Sequence, residues 1–208
     1  METKERLERI RQKMALLSEK NTVLEDGEIV WEAPLTLHEV EEFEREHDIR
    51  LPEDYREFIT TVASAGNRPF YGLYRLYEEV PEHEVHSFPS KKFPYEIGSP
   101  LCLFQLSEDE YEEEMEREDI DDGFLVLCTE GCGMTSILVV NAEDEAACGT
   151  VWFYDLSNDF GIMPLFLPDR EEPMRFLDWF EYWLEKELNQ GEGEYFSYME
   201  LVRELDEE

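Results

Sequence analysis

Residues 35–77, LTLHEVEEFEREHDIRLPEDYREFITTVASAGNRPFYGLYRLY, decide the fold because they combine two helical patterns with a sharp corner. Thr36 is placed to cap the first helix, and Glu39 follows three residues later, which is the spacing of a capping box. Leu51-Pro52 predicts the corner, because a residue before proline avoids the α region while proline fits the first turn of a helix. The stretch therefore predicts two short helices joined near residue 51.

The apolar residues of this stretch support both helices. Those of the first helix recur at helical spacing: Leu37, Val40 and Phe43. Those of the second helix are Tyr55, Phe58, Ile59 and Val62. The first helix is predicted to end near Ile49, and Gly66-Asn67 is predicted to stop the second. Phe70 to Tyr77 then predicts a strand rich in aromatic residues.

Five further runs predict strands of one sheet. Three of them follow one another through short connectors: Phe124–Cys128, Met134–Asn141 and Thr150–Asp155. Short connectors force antiparallel neighbours. The continuous apolar run 137–140 predicts a strand buried on both faces. Residues 101–106 predict a further strand, and residues 161–167 predict an edge strand, with Pro164 keeping it at the rim.

The ends of the chain predict helices. After Pro173, apolar residues recur at helical spacing and predict a helix over one sheet face: Phe176, Leu177, Phe180, Trp183 and Leu184. Residues 1–20 predict an amphipathic helix with six Lys or Arg against four Glu. Its apolar face is narrow and lacks aromatic anchors, which favours packing on the acidic body over lying on a membrane. Residues 194–205 predict a final short helix.

Three of these segments, in this order, resemble the SUKH superfamily, the Smi/Knr-type immunity protein family. They are the helix–corner–helix string at 35–77, EGCGMTSILVVN at 130–141 with GTVWFYD at 149–155, and FLDWFEYWL at 176–184. The resemblance covers about residues 35–188. It implies an α+β fold, with a central, mostly antiparallel sheet and helices packed against it. We expect a single SUKH-like domain over 1–208, with the helices at 1–20 and 194–205 as additions.

The resemblance also implies a binding protein rather than an enzyme. Bacterial members of the superfamily resemble immunity proteins that neutralise toxins of polymorphic secretion systems, often nucleases, and fungal relatives are regulatory interaction proteins. We therefore expect a protein that neutralises a cognate toxin by direct binding, as a monomer or weak homodimer. The alternative is a regulatory or scaffold protein with a host protein partner.

Charge is the strongest compositional signal, with 53 acidic against 18 basic residues and a formal net charge of −35. It argues against nucleic acid or an anionic membrane as a partner and favours a basic protein. A generally acidic proteome would give the same composition.

Residues 108–122 hold eleven Asp or Glu and one Arg. This run predicts either a solvated rim or a docking surface, and it lacks the spacing of a calcium-binding loop. The predicted contact residues are Glu112, Glu113, Glu116, Asp119, Asp121 and Asp122.

No catalytic motif is present, so neither an enzyme nor a cofactor is expected. The most nucleophile-like residue is Cys132, between two glycines, but a cysteine nucleophile needs a nearby base or cation. A pocket lined by His83 or His86 together with Cys132 would support an enzyme. The cysteines are expected to be buried or free thiols rather than metal ligands.

The N-terminus lacks the apolar segment of a secretory signal, and no apolar run reaches about 18 residues. These two observations predict a cytoplasmic protein.

Overall fold

A computed structural model describes residues 2–24, 28–76, 85–189 and 196–202 of the chain. These residues form the helices α1 (Glu2–Leu24), α2 (Leu37–His47), α3 (Glu53–Thr61), α4 (Glu108–Met115) and α5 (Phe176–Asn189). The strands are β1 (Leu101–Cys102), β2 (Phe124–Gly131), β3 (Met134–Val139), β4 (Val151–Asp155) and β5 (Gly161–Pro164). They form one antiparallel sheet in the order β1-β5-β4-β3-β2. The predicted α+β fold is therefore confirmed.

The helix–corner–helix prediction is also confirmed. Thr36 and Glu39 form a capping box, in which the Glu39 N–H donates to Thr36 Oγ1 at 3.3 Å and Glu39 Oε2 accepts from the Thr36 N–H at 2.7 Å. α2 ends at His47; its C-cap Asp48 has a φ of 51°, which stops the helix, and Pro52 is the N-cap of α3. α3 in turn caps α5, since Asp54 Oδ2 accepts from the N–H of Leu177 at 3.1 Å. The corner thus places α3 against the first turn of α5.

The sheet is covered on both faces by different parts of the chain. α5 covers one face, as predicted, and its Trp179 indole donates to Ser136 Oγ on β3 at 3.2 Å. The loop before α4 covers the other face, where Phe93 packs edge-on against Trp152 of β4 at 4.9 Å between ring centroids. Tyr95 is also buried there. β3 is buried between these layers, which agrees with its predicted burial on both faces.

α1 packs on α5 through a partly buried ion-pair cluster, which we call the Glu181 clamp. Glu181 accepts from Arg6, Arg9 and Lys13 at 2.9, 2.7 and 2.8 Å. Burial alone would raise the pKa of Glu181, but these three cations lower it to about 2. The apolar face of α1, which contains Ile10 at 0% exposure, is buried against the same core. The predicted packing of this helix on the acidic body is confirmed.

The segment 196–202 is fixed to the sheet by a buried carboxylate. Glu130 on β2 is 4% exposed, and its Oε2 accepts from Ser197 Oγ at 2.8 Å and from the Tyr198 N–H at 3.2 Å. Its Oε1 has no hydrogen-bond partner among the described residues. Burial raises the pKa of Glu130 to about 7, against the opposing effect of the two hydrogen bonds. Of the predicted helix 194–205, the described part contains a 3-10 helix, Tyr198–Leu201, and the rest lies outside the described residues.

Two strand predictions need correction. Residues 70–76 form turns rather than a strand, because φ is positive at both Phe70 and Gly72, and Leu73 makes only an isolated bridge; Tyr77 lies outside the described residues. β5 is not an edge strand, because β1 pairs with its outer side. Pro164 is tolerated there because it lies beyond the two residues of β5 that pair with β1.

The predicted strand at 101–106 is also shorter than expected, since a 3-10 helix begins at Leu103. Across the part of the chain that the structure describes, no helix has both the length and the apolar character needed to cross a bilayer.

Candidate partner-binding site

The acidic segment, residues 108–122, begins with a helix, α4, whose residues are mostly exposed to solvent. Ser107 caps α4 in a second capping box, with Glu110 Oε2 accepting from the Ser107 N–H at 2.9 Å. α4 has no buried residue. Tyr111 ties it to the turn after β4, because its hydroxyl donates to Asp159 Oδ1 at 2.7 Å. The Tyr111 side of α4 is therefore fixed to the domain, while its acidic face points to solvent.

The structure divides the six predicted contact residues into two groups. Glu112, Glu113 and Glu116 are exposed and form no ion pair with any described residue. The other three are at least partly buried. Asp119 pairs with Arg117 at 2.8 Å, and Asp122 is 4% exposed and pairs with Lys91 at 3.2 Å. Asp122 therefore offers almost no surface to a partner.

Asp121, the remaining predicted residue, turns into a cavity of about 550 Å³, which we call the hairpin cavity. It lies at the end of the sheet formed by the β2–β3 hairpin and the turn after β4. Its lining includes Tyr71, His86, Asp121, Cys132, Tyr154 and Ser157. These residues come from five separate parts of the chain, so sequence spacing could not have shown that they meet.

A tight turn shapes one wall of the hairpin cavity. β2 and β3 are joined by the two-residue turn Cys132-Gly133, with φ of 55° and 87°, as a type I′ hairpin requires. Asn158 fixes this turn by donating from Nδ2 to the Cys132 carbonyl at 2.9 Å and to Asp155 Oδ1 at 2.8 Å. The hairpin tip and the turn after β4 are thus joined into one rim.

Asp121 and Tyr154 form the polar pair of the cavity. The Tyr154 hydroxyl donates to Asp121 Oδ1 at 2.7 Å. Burial raises the pKa of Asp121, while this hydrogen bond and the nearby His86 oppose the rise. Burial also raises the pKa of Tyr154, so its hydroxyl stays a donor at neutral pH. The pair therefore presents a carboxylate that is partly desolvated and already oriented.

Tyr71 is an exposed aromatic residue at the mouth of the cavity. It is 75% exposed, and its N–H donates to the Thr129 carbonyl at 3.4 Å, which holds the turn against β2. Its ring lies over Gly131, where a Cβ would lie 2.8 Å from Tyr71 Cε2, so a side chain at this position would displace the ring. Tyr71 also lines a second cavity, of about 280 Å³, next to Val30. The sequence prediction missed this residue because it assigned the segment to a strand; an aromatic residue beside Gly72 was the available signal.

The hairpin cavity also brings His86 and Cys132 onto one lining, the arrangement that would support an enzyme; His83 lies outside the described residues. No hydrogen bond joins the His86 imidazole to the Cys132 thiol within the described residues, and no Lys or Arg lines the cavity. A cysteine nucleophile needs such a base or cation to form its thiolate. The two residues thus share the cavity lining, and no hydrogen bond between them is present among the described residues.

The remaining cysteines lie elsewhere in the molecule. Cys102 and Cys128 are buried, Cys148 is partly buried, and the four cysteines form no disulfide. Among the described residues, no group of three or more His, Cys, Asp or Glu is arranged to hold a metal ion.

The fold defines an α+β protein built on an open antiparallel sheet. The sequence model of the SMI1 / KNR4 family (SUKH-1) matches residues 34–186, well over half of the 208-residue chain, and the chain belongs to this family. Membership is consistent with an immunity-type protein. The comparisons with curated proteins and with solved structures found no match. The match contains the acidic segment and the hairpin cavity, whereas α1 lies outside it.

Proposed function

We propose that this chain is a non-enzymatic immunity protein that neutralises a cognate toxin by direct protein–protein binding. The observation that carries the proposal is the exposed acidic face of α4 in a domain of this family. Glu112 and Glu113 lie on α4 and Glu116 is its C-cap residue, and all three are exposed; α4 has no fully buried residue, although Tyr111 packs partly against the core. Such a helix contributes little to the core, so its acidic face is available for recognition.

A basic toxin is the partner that this surface fits best. A nuclease, which is basic because it must bind nucleic acid, would present the complementary potential. Complementary potentials raise association rates toward about 10⁸–10⁹ M⁻¹s⁻¹ at low salt. The same surface would suit a basic host protein, which is the regulatory alternative. Capture of partners with the tagged protein in its host, at low salt and then with a high-salt wash, distinguishes the two by the identity of the protein released.

Neutralising the acidic face should slow capture of the partner. We expect the triple variant Glu112→Gln, Glu113→Gln, Glu116→Gln to associate with the captured partner about tenfold more slowly at low salt, because steering scales with the complementary charge. The dissociation rate should change much less. Stopped-flow association at several salt concentrations measures the effect, which should vanish at high salt.

A matched control removes three exposed charges elsewhere. Glu143, Glu171 and Glu172 are exposed near the beginning of β4, at the opposite end of that strand from the hairpin cavity. Their replacement by glutamine should alter the association rate by less than about twofold. Equal slowing by both triple variants would show that net charge, and not the face of α4, governs capture.

The shared lining of His86 and Cys132 supports an enzyme as a second candidate function. If the protein acts by binding, Cys132→Ser should protect cells from the partner toxin as well as the wild type does, since serine fits the same turn at nearly the same volume. A growth assay with the toxin co-expressed measures protection. Loss of protection in both Cys132→Ser and His86→Gln, with partner affinity intact, would favour the enzyme.

A further inference from the structure

We propose that the hairpin cavity binds one arginine side chain of the protein partner, with Asp121 as its counter-ion. This inference rests on the proposed function, since it assumes a protein partner, and it adds the chemistry of the anchoring contact. It assigns to Asp121 a role different from that of the exposed carboxylates on α4.

Asp121 differs from Asp119 and Asp122, the other two partly buried or buried carboxylates among the predicted contact residues, because no cation pairs with it among the described residues. Asp119 pairs with Arg117, and Asp122 pairs with Lys91. Asp121 accepts one hydrogen bond, from Tyr154 at 2.7 Å to Oδ1, and its second oxygen has no partner in the described part of the chain. A partly buried carboxylate without a cation is stabilised when a binding protein brings a positively charged hydrogen-bond donor to it.

The walls of the cavity favour a guanidinium over an ammonium group. Tyr71 and Tyr154 both line it, and a planar guanidinium stacks on aromatic rings while donating to a carboxylate. No Lys or Arg of the chain lines the cavity, so an incoming cation meets no like charge from these residue types. A volume of about 550 Å³ admits an arginine side chain together with part of the segment that presents it.

The position of Asp121 separates two steps of binding. The exposed carboxylates of α4 act at long range and change the association rate. A carboxylate inside a cavity acts only after contact, and the loss of a desolvated charge pair appears mainly in the dissociation rate. The acidic segment therefore attracts the partner with one part and holds it with another.

Titration of the ¹⁵N-labelled full-length protein with N-acetyl-arginine amide tests the cavity without the partner. We expect amide shifts at Gly131 and Gly133, which line it, and no such shifts with N-acetyl-citrulline amide, which has nearly the same shape but no charge. Asp121→Asn should weaken arginine amide binding at least about tenfold, because it replaces a charge-assisted pair by a neutral one while it keeps an acceptor for Tyr154. The α4 triple variant should bind the probe within about twofold of the wild type.

A second variant keeps the test valid if Asp121→Asn is poorly folded. Tyr71→Ala removes a side chain that is 75% exposed, and it should weaken probe binding several-fold through lost stacking. Equal binding of the arginine and citrulline amides, or unchanged binding in both variants, would overturn the inference. The proposed function would then still stand on the association rates of the α4 variant. If the probe binds as expected but no basic protein is captured, the proposed function fails while the arginine site remains.

Discussion

Between pH 4.5 and pH 7, the contribution of Glu130 to the free energy of unfolding is expected to fall by about 3 kcal/mol, and this fall should be absent in Glu130→Gln. Burial raises the pKa of this carboxyl from 4.5 to about 7 in the folded protein. Below pH 4.5 it is protonated in both the folded and the unfolded chain. Between the two pKa values only the folded chain holds the proton, so the stability that this group contributes is lost as the pH rises through about 7.

Urea unfolding of the wild type and of Glu130→Gln over this pH range measures the effect as the difference between two curves. The difference removes the general repulsion among acidic groups, which both proteins share. Glu200, exposed on the same C-terminal segment, provides the control, since Glu200→Gln should leave the pH dependence of the wild type unchanged. Parallel curves for the wild type and Glu130→Gln would contradict the prediction.

Replacing Glu181 with glutamine is expected to lower the free energy of unfolding by about 2–3 kcal/mol at pH 7. The variant keeps the volume of the side chain but leaves Arg6, Arg9 and Lys13 without their shared carboxylate. The loss falls below that of a fully buried ion pair, because the Arg9 side chain is 53% exposed and can be hydrated in the variant. Denaturant unfolding followed by fluorescence measures it.

Glu185 gives the matched control for this prediction. It lies one turn further along α5, pairs with Lys13 at 2.6 Å and has a side chain that is 55% exposed. Glu185→Gln should lower the free energy of unfolding by less than about 1 kcal/mol, as for other exposed pairs.

The pKa of Glu181 in the folded protein is about 2, below its ordinary 4.5. The clamp therefore contributes to stability above pH 4.5, and this contribution is lost as the pH falls through about 2. Equal losses in the two variants at pH 7 would refute the special role of Glu181.

Local signals in the sequence predicted the elements that depend on neighbouring residues. The capping box at Thr36 needs only a side chain and a residue three positions later, and it is present. The pairing of β2, β3 and β4 follows from short connectors. The position of β5 could not be predicted in the same way, because its outer partner, β1, lies about sixty residues earlier in the chain.

The candidate site was only partly predictable for the same reason. The acidic segment reads as a uniform run, yet Lys91 from a distant loop pairs with Asp122, and Tyr154 from β4 orients Asp121. The turn containing Tyr71 has the aromatic composition of a strand but not its backbone, since φ is positive on both sides of it. Sequence located the acidic surface, whereas the cavity beside it depends on contacts between distant residues.

The Glu181 clamp changes the electrostatic field that an approaching protein experiences. Arg6 and Lys13, two of the few cations in the chain, face inward and compensate carboxylates on α5. Compensated pairs cancel at a distance, so the outer field comes from the carboxylates that remain, including those of α4. In a family domain without such a helix, Glu181 would be exposed to solvent. It would then compete with the carboxylates of α4 for the cations of a partner. By pairing with Asp178 and Glu181, the cations of α1 reduce the negative charge that α5 presents to a basic protein.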